Sequence, residues 1–417
     1  MKNKKFKVLV LSDHALSTSG VGTQTRHLLN GLLKKGCWSF RQFGAAIKHT
    51  SYDTVFINED FIIKPIDGFG NPDLIRVTLA TEKPDLLFIF TDPRFFTWLF
   101  EIEDEIHQVC PIVWWHVWDN YPYPKFNDFY YQATDKINCH SYMTYRMIQE
   151  EGTHANKTFF IPHAIPEGIF YPLDRDFVQQ NKIRLLGEDR KDHFVALWVN
   201  RNAKRKRPND ALLSWKIFLD KLQQDHGHKK ATLIMHTEPN DNEGPNLFET
   251  CKVLGLQENV FFSRDRIEFD KMNVIYNLCD VCFTLSYAEG FGLSTLEAMM
   301  TGTPIVSITT GGLTRQVIDY RDNSENGVAL PVDLTSLVGS QGVPYIYEDY
   351  VSNASVASGL RKIYDLSEKE RKDLSRKVLN YAKEEFSHQK TVDMWHESML
   401  DAIEEFKSYK SWKKITF

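Results

Sequence analysis

The stretch YAEGFGLSTLEAMMTGTPIVSITTGG, residues 287–312, decides the fold because it joins a strand to a helix through a Gly-Phe-Gly turn. The apolar run DVCFTLS before it predicts a buried strand, and STLEAMM predicts a helix that ends before Gly302 and Pro304. The first backbone N–H groups of a helix have no partner within the helix and attract anions. Two carboxylates, Glu289 and Glu297, nevertheless flank this turn.

Glu297 has two interpretations from local sequence. Ser294 and Glu297 match a capping box, in which the carboxylate accepts a hydrogen bond from the helix's own backbone. A capping box explains neither Glu289 nor the two glycines, which let the backbone approach a ligand closely. At this level, a structural role and a ligand-binding role for Glu297 both stay open.

Short apolar runs alternate with helical patterns along the 417 residues, which predicts βα units and parallel sheets. The pattern lapses over residues 166–190, which are polar and contain prolines, so we expect a linker there. The length suits two domains, predicted over 1–165 and 191–386, with a helical tail over 387–417 that packs back on the first domain. Two α/β halves joined by a linker imply a cleft, the usual place for a ligand.

Composition narrows the class of protein. A net charge of −5, with 42% hydrophobic and 25% charged residues, is typical of a globular chain that is not a polyanion binder as a whole. Six scattered cysteines fit a reducing compartment, and the CxxC at Cys279 and Cys282 lacks the further ligands of a zinc site. No stretch approaches the roughly 20 apolar residues of a membrane span, and we expect a cytoplasmic protein.

A basic cluster lies in WVNRNAKRKRPND, between a predicted strand and a predicted helix. Its five cations are Arg201, Lys204, Arg205, Lys206 and Arg207. Loops after the carboxyl ends of parallel strands face the ligand crevice, so cations there suit a diphosphate, and nearby carboxylates suit ribose hydroxyls. A solvated surface loop and a nucleic-acid patch are the alternatives. Together with the glycine turn, the cluster predicts a sugar-nucleotide site.

These segments resemble a known family. EGFGLSTLE is similar to the E-x7-E signature of retaining glycosyltransferases with the GT-B fold, family 4 in particular. VNRNAKRKRPNDALLSW resembles the family's Arg-x4-Lys loop, and SGVGTQTRHLLNGLLKKG resembles its N-terminal glycine loop. The resemblance implies an α/β GT-B fold, with two Rossmann-like domains whose parallel sheets face each other across a cleft. The first domain would be the acceptor side, and the second would bind the nucleotide sugar.

The resemblance also implies a donor site by position. Arg201 and Lys206 would bind the diphosphate and stabilise the leaving group, and Glu297 would bind the ribose hydroxyls. Glu289 would lie near the donor sugar and, with both cations, belong to the catalytic set. The remaining donor-binding residues would be Gly20, Gly22, Gly290, Phe291, Gly292, Thr295 and Leu296.

Residues of the first domain would complete the chemistry. His116, at the end of PIVWWHVW, matches a histidine that the family places near the sugar, where it would orient groups; a core histidine beside two tryptophans is the alternative. Asp119 and Tyr121 would bind the acceptor, although Asp119 could equally cap the following turn. The expected acceptor is a hydroxyl of a sugar, glycan or modified nucleobase, with carbohydrate favoured over nucleic acid.

The chain departs from the family in places that bear on donor choice. Asn200 lies where a glycine usually precedes the diphosphate arginine, and MHTEPNDNEGPN replaces a glycine-rich turn. The D-x-D at Asp174 and Asp176 formally matches metal-dependent transferases, but it lies in the predicted linker. Because the cations neutralise the diphosphate, we expect neither a metal nor a cofactor.

The resemblance implies glycosyl transfer by front-side attack with retention of configuration. Two alternatives belong to other classes. A sugar-nucleotide 2-epimerase of the same fold would act without an acceptor, and the E-x7-E with the basic loop argues against it. A nucleotide- or nucleic-acid-binding protein would leave His116 and Glu289 dispensable.

Overall fold

The computed structural model describes residues 5–263 and 267–409. The chain divides into two compact units. The first holds the described residues up to Pro166, Gly339–Pro344 and the described residues from His388 onward, and the second holds Glu167–Val338 and Tyr345–Ser387. Each unit is built on its own parallel sheet, so the predicted α/β class with two Rossmann-like domains is confirmed.

The first unit contains one large sheet. Its strands are β1 (Phe6–Asp13), β2 (Trp38–Ala45), β3 (Val55–Asn58), β4 (Phe61–Pro65), β5 (Leu86–Phe90), β6 (Ile112–His116), β7 (Lys136–Cys139) and β8 (Thr158–Phe160). They lie in the order β3-β4-β2-β1-β5-β6-β7-β8, and neighbours are parallel except β3 and β4. The central strands are buried on both faces, which is why they are continuous apolar runs in the sequence.

Helices cover the faces of this sheet. They are α1 (Gly20–Leu33), α2 (Pro72–Glu82), α3 (Thr97–Phe100), α4 (Glu103–Ile106), α5 (Asp128–Gln132), α6 (Tyr142–Glu151) and, from the end of the chain, α15 (His388–Tyr409). Helix α15 packs closely on α1, since a Cβ on Gly31 would lie 2.3 Å from Val392. Its Trp395 is fully buried, with ring centroids 5.1 Å from both Phe88 and Trp115. The C-terminal helix is therefore part of the core of the first unit.

The second unit has a six-stranded parallel sheet and a separate hairpin. Its strands are β9 (Phe194–Val199), β10 (Ala231–His236), β11 (Val260–Ser263), β12 (Val281–Thr284), β13 (Ile305–Ile308), β14 (Gly327–Leu330) and the hairpin β15 (Leu334–Val338) and β16 (Ile346–Tyr350). Its helices are α7 (Arg175–Leu186), α8 (Pro208–His226), α9 (Leu247–Leu254), α10 (Met272–Asn277), α11 (Leu293–Met300), α12 (Thr314–Val317), α13 (Asn353–Tyr364) and α14 (Glu368–Glu385).

The strand order β11-β10-β9-β12-β13-β14 reverses direction between β9 and β12. These two strands pair in parallel, with Val281 opposite Ala196 and Cys282 opposite Leu197. The loops that follow them therefore leave the sheet side by side, at its carboxyl edge. A reversal of this kind opens a crevice where ligands bind in doubly wound sheets.

The segment 166–190, predicted to be a linker, instead carries helix α7, and from Glu167 onward it belongs to the second unit. Asp174 caps this helix by accepting hydrogen bonds from the N–H groups of Asp176 (3.0 Å) and Phe177 (3.1 Å). Asp174, the first residue of the D-x-D sequence, is thus a helix cap. The prediction was wrong because only Leu186 of this helix is buried, which leaves no apolar period to detect.

Helix hydrophobicity and the state of the cysteines limit what kind of protein this is. None of the helices within the described part of the chain is long and apolar enough to cross a bilayer. All six cysteines are free, and burial raises the thiol pKa of both Cys279 and Cys282. A thiol with a raised pKa is a poor nucleophile and metal ligand, so the CxxC has a packing role.

Removal of the Trp395 side chain tests whether α15 is part of the core of the first unit. Trp395→Ala is expected to lower the free energy of unfolding by about 3–5 kcal/mol, because it leaves a cavity beside Phe88 and Trp115. Met394→Ala, one residue earlier and exposed, is the control and is expected to change it by less than about 0.5 kcal/mol. Equal, small effects of both variants in urea unfolding would contradict this role.

Candidate functional site

The loops after β9 and β12 are held together by backbone and side-chain contacts. The N–H of Tyr287 donates to the carbonyl of Arg205 at 3.0 Å. Arg207 has a left-handed backbone conformation (φ +54°) just before Pro208 begins α8. Its buried guanidinium bonds to Asp210 at 2.8 Å and lies 5.2 Å from the ring centroid of Tyr287. Arg207 therefore fastens the two loops together rather than facing a ligand.

An ion pair between Lys206 and Glu289 connects the same two loops. Both side chains are largely buried, with 11% and 15% of their surface exposed, and Arg205 Nη1 lies 3.6 Å from the same carboxylate oxygen. Burial alone would raise the pKa of Glu289, but the charges of Lys206 and Arg205 and the hydrogen bond from Lys206 outweigh it, so its pKa is lowered. Glu289 is therefore ionised at neutral pH, with two cations against it.

The glycine turn is held by close packing. A Cβ on Gly312 would lie 2.3 Å from the carbonyl oxygen of Gly290, and the N–H of Gly312 donates to the carbonyl of Glu289 at 2.9 Å. Gln316, fully buried, donates through Nε2 to the carbonyls of Phe291 (2.7 Å) and Gly292 (3.0 Å). The turn is thus fixed before any ligand binds.

Helix α11 starts directly after this turn, with Gly292 as its N-cap at φ +91°. Two residues that were predicted to contact the donor, Leu296 and Thr295, instead make hydrogen bonds within the fold. The N–H of Leu296 donates to the carbonyl of Gly292, and its side chain is fully buried. The Thr295 hydroxyl donates to the Gly292 carbonyl at 2.7 Å and lies 2.5 Å from Gln316 Oε1. Thr295 and Leu296 therefore shape the helix start, and its anion-attracting groups are the backbone amides of residues 293–295.

Glu297 does not form the capping box considered from sequence. The helix begins at Leu293 without a side-chain cap, so Ser294 is inside it rather than at its cap position. Glu297 instead accepts a hydrogen bond from the hydroxyl of Tyr276 at 2.5 Å. Burial raises the pKa of Glu297 to about 7, although the Tyr276 hydrogen bond acts in the opposite direction. The half-buried Glu297 is thus held beside the helix start by the buried Tyr276.

Arg201 does not lie on the Glu289 turn as the sequence led us to expect. Its guanidinium, 64% exposed, bonds to Asp241 in the loop after β10, at 2.8 and 3.1 Å. Arg205 takes the second position beside Glu289. The sequence could not separate these cations, because neighbouring residues of an irregular loop point in directions that spacing alone does not reveal.

The glycine loop of the first unit is closely packed. Gly20 is exposed at the first position of α1, whereas Gly22 is buried and its N–H donates to the Ser19 hydroxyl at 3.0 Å. A Cβ on Gly22 would lie 2.5 Å from the carbonyl oxygen of His14. Ser19 also donates to Asp13 at 2.6 Å. Gly22 is therefore needed for packing, and its N–H is already bonded.

His116 has the surroundings of a core histidine. It is fully buried, its ring centroid lies 4.3 Å from that of Trp114, and its Nε2 lies 2.6 Å from the Tyr131 hydroxyl. Burial, and then the nearby His140, lower its pKa to about 3. The ring is neutral at physiological pH and has no exposed surface. The structure therefore favours the core alternative over a direct contact with sugar.

Asp119 and Tyr121 lie beyond the carboxyl end of β6. Arg94 is bonded to Asp92 at 2.7 Å, and the pKa of Arg94 is raised by Asp92 and, more weakly, by Asp119. Tyr121 is 40% exposed, and its N–H donates to Asn120 Oδ1 at 2.9 Å. These residues form an accessible polar group at the carboxyl edge of the first sheet. In residues 5–263 and 267–409, no three His, Cys, Asp or Glu side chains are grouped as a metal site.

Part of the second unit matches the model of a known family. Residues 180–335 match the family model of Glycosyl transferases group 1. This segment is therefore similar to the group 1 glycosyl transferases. It contains the Lys206–Glu289 ion pair, the glycine turn and Glu297.

A curated relative and two solved structures extend the comparison. D-inositol 3-phosphate glycosyltransferase 2 of Catenulispora acidiphila is 28% identical over 166 residues, which are 39% of this chain and 38% of that protein. The match thus spans well under half of that relative's length. Sucrose-phosphate synthase from Thermosynechococcus elongatus has a TM-score of 0.68 at 15% identity, covering 98% of this chain and 100% of that one. HepE of Anabaena, in complex with UDP and glucose, has a TM-score of 0.68 at 16% identity, covering 94% and 99%. The predicted GT-B fold is confirmed.

The raised pKa of Glu297 predicts a pH-dependent stability. Between about pH 4.5 and 7 the folded chain keeps a proton on Glu297 that the unfolded chain has lost, so the free energy of unfolding falls as pH rises through this window. Glu297→Gln has no carboxyl group to titrate at this position. Its free energy of unfolding is therefore expected to fall less than that of wild type across the window, by on the order of 2 kcal/mol. Urea unfolding at closely spaced pH values measures both slopes. Parallel profiles would show that Glu297 titrates alike in both states.

The hydrogen bonds of Gln316 predict that this residue stabilises the glycine turn. Gln316→Leu removes one hydrogen bond from each of the buried carbonyls of Phe291 and Gly292, and is expected to lower the free energy of unfolding by about 2 kcal/mol. Gln257→Leu, at an exposed position of the same unit, is the control. An equally small effect of both variants would mean that the turn is held by other contacts.

Proposed function

We propose that this chain is a retaining glycosyltransferase that moves a sugar from a nucleoside-diphosphate sugar to a hydroxyl acceptor. The proposal rests mainly on the buried Lys206–Glu289 ion pair, which lies with Arg205 beside it at the point where the strand order reverses. The match of residues 180–335 to group 1 glycosyl transferases supports the proposal, as does the UDP in the similar HepE structure.

In this proposal the donor diphosphate binds beside Glu289 and becomes a further partner of Lys206 and Arg205. It also replaces Asp241 as the partner of Arg201. Lys206 and Arg205 already lie beside one anionic group, so a second anion placed between them and the α11 start gains charge-assisted hydrogen bonds. Arg201 exchanges its exposed pair with Asp241 for the phosphate, which costs little because exposed ion pairs contribute about 1 kcal/mol or less. The amides at the start of α11 complete the site.

The two carboxylates then bind hydroxyls. Glu297, held by Tyr276, accepts hydrogen bonds from the ribose. Glu289 faces the donor sugar with the backbone of Gly290, Phe291 and Gly292, and its lowered pKa keeps it an acceptor at neutral pH. In the first unit, Asp119 and Tyr121 bind the acceptor, which we propose to be a carbohydrate, and the exposed Gly20 approaches the donor.

The transfer step is a front-side displacement. The bond between the anomeric carbon and the phosphate oxygen breaks, and a bond to the acceptor oxygen forms on the same face of the sugar. The acceptor proton passes to the departing phosphate oxygen. Lys206, Arg205 and Arg201 stabilise the charge on the leaving diphosphate, so no metal or cofactor is required. His116, neutral and buried, acts only by packing against the residues around it.

A screen of nucleoside diphosphates by thermal shift, followed by donor hydrolysis, tests the proposed function. One nucleoside diphosphate is expected to raise the melting temperature, and its sugar conjugate is expected to release it slowly. Lys206→Ala is expected to lower kcat/KM by about 10²–10³-fold, because it removes a cation that stabilises the leaving group. Lys204→Ala, exposed on the same loop, is expected to leave it unchanged.

Three outcomes would refute parts of the proposal. If no nucleoside diphosphate binds, the donor class is wrong. A product whose anomeric configuration in NMR is opposite to that of the donor would exclude retention. Loss of activity in EDTA, restored by Mg²⁺, would exclude metal-independent transfer.

A further inference from the structure

The hairpin β15–β16 of the second unit holds a buried carboxyl group beside the glycine turn. Asp349 lies on β16, opposite Thr335 on β15. Its side chain is buried, and each of its two oxygens accepts a hydrogen bond from a threonine hydroxyl: Oδ1 from Thr335 at 2.7 Å and Oδ2 from Thr310 at 2.7 Å. The first of these bonds stays within the hairpin, whereas the second reaches the loop after β13. Asp349 therefore connects the hairpin to the loop that packs on the glycine turn.

The backbone of Asp349 bonds to the start of the glycine turn. Its N–H donates to the carbonyl of Tyr287 at 2.8 Å, two residues before Glu289. Thr310, which the side chain of Asp349 reaches, lies two residues before Gly312, whose N–H donates to the carbonyl of Glu289. Three hydrogen bonds thus close a ring through the hairpin, the start of the turn and the loop after β13, and Glu289 is part of that ring.

Aromatic and cationic groups add to this contact. Tyr350, the next residue of β16, has its ring centroid 4.6 Å from that of Tyr287. The guanidinium of Arg207 lies 5.2 and 5.5 Å from these two rings, and its Nη2 donates to the carbonyl of Val351 at 3.2 Å. A desolvated cation over aromatic rings is attracted by their quadrupoles. The hairpin is thus joined to the loop after β9 as well as to the loop after β12.

Apolar burial explains little of how the hairpin is attached. Both leucines of β15 are exposed, Leu334 by 62% and Leu337 by 63%. Apolar contacts are non-directional, whereas a hydrogen bond between two buried side chains requires a narrow range of distance and angle. A buried carboxyl group is also costly to keep unless hydrogen bonds satisfy it. The bond between Asp349 and Thr310 therefore specifies where the loop after β13 lies.

We propose that Asp349 is a positioning residue for sugar transfer, which acts on Glu289 through Thr310 and the glycine turn without touching the donor. The inference rests on the proposed function, in which Glu289 faces the donor sugar. A displaced Glu289 backbone therefore misorients the sugar rather than the diphosphate. Misplacement by about 1 Å can lower a rate about 10²-fold. Loss of the link is expected to lower kcat and to leave binding of the diphosphate unchanged.

A pair of Thr→Val variants separates positioning from stability. Each removes one hydroxyl that donates to the same carboxyl group, at 2.7 Å in both cases. Thr310→Val breaks the link to the loop after β13, and is expected to lower kcat for hydrolysis of the sugar conjugate about tenfold. Thr335→Val breaks the bond inside the hairpin and is the matched control, expected to leave kcat unchanged. Thr310→Ser keeps the hydroxyl and is expected to restore kcat to near the wild-type value.

Asp349→Ala tests the carboxyl group itself. It removes the acceptor of both threonines and keeps the backbone N–H, so kcat is expected to fall at least as much as in Thr310→Val. The probes are UDP-glucose, ADP-glucose, CDP-glucose and GDP-mannose, and the variants are assayed with the conjugate that wild type hydrolyses. Assays well below the lowest melting temperature among the variants keep each of them folded. Calorimetric titration with the matching nucleoside diphosphate is expected to give the same affinity for all of them.

The outcomes distinguish this inference from the proposed function. If wild type hydrolyses a conjugate and both Thr310→Val and Asp349→Ala keep its kcat, the inference is overturned and the function stands. An equal fall of kcat in Thr335→Val would also overturn it, because the effect would then not pass through the loop after β13. A loss of activity explained wholly by weaker binding of the diphosphate would do the same. If wild type hydrolyses none of the four conjugates, the proposed function fails, and the inference fails with it.

Discussion

The proposed site depends on one buried ion pair, between Lys206 and Glu289. Taking two charges out of water is costly, and a buried pair often contributes little net stability against an apolar alternative. Its presence at a loop junction therefore needs a reason other than stability. The pair keeps an ionised carboxylate and a desolvated cation at a place where neither would stay alone, and Arg205 adds a second positive charge. A diphosphate needs such charges already in position.

The fold around this pair allows little movement. The strand order reverses between β9 and β12, which brings the two charged loops together, and Gly312 lets the β13 loop reach the turn within contact distance. Gln316 then bonds two carbonyls of the turn. Fixed donors cost no reorganisation when charge develops in a reaction, which is the source of most electrostatic stabilisation in enzymes.

Sequence patterns predicted the sheets well and the side-chain partners only in part. Apolar runs such as FVALWV and VCFT predict strands because both faces of a parallel sheet are buried. Helix α7 was missed because it buries a single residue, Leu186. Of the two cations assigned to the diphosphate, Lys206 pairs with Glu289 and Arg201 pairs with Asp241. Gln316 gave no signal because it acts on a turn far from it in sequence. Spacing shows which loops meet, whereas side-chain direction depends on contacts that no local pattern encodes.

Three kinds of polar group lie at the carboxyl edge of the second sheet. They differ in their hydrogen-bond and ion-pair partners, and this difference indicates their roles. Arg207 and Gln316 are buried and donate to carbonyls of the fold, so turning to a ligand would break these bonds, although Nη1 of Arg207 has no partner among the described residues. Lys206 and Arg201 are bonded to carboxylates, which are partners that a phosphate can replace with the same charge. Asn200 Nδ2 and Thr237 Oγ1 are buried and bonded to nothing among the described residues. Structural groups beside exchangeable charges are what the proposed donor site requires, because it must keep its shape and carry its charges before a diphosphate binds.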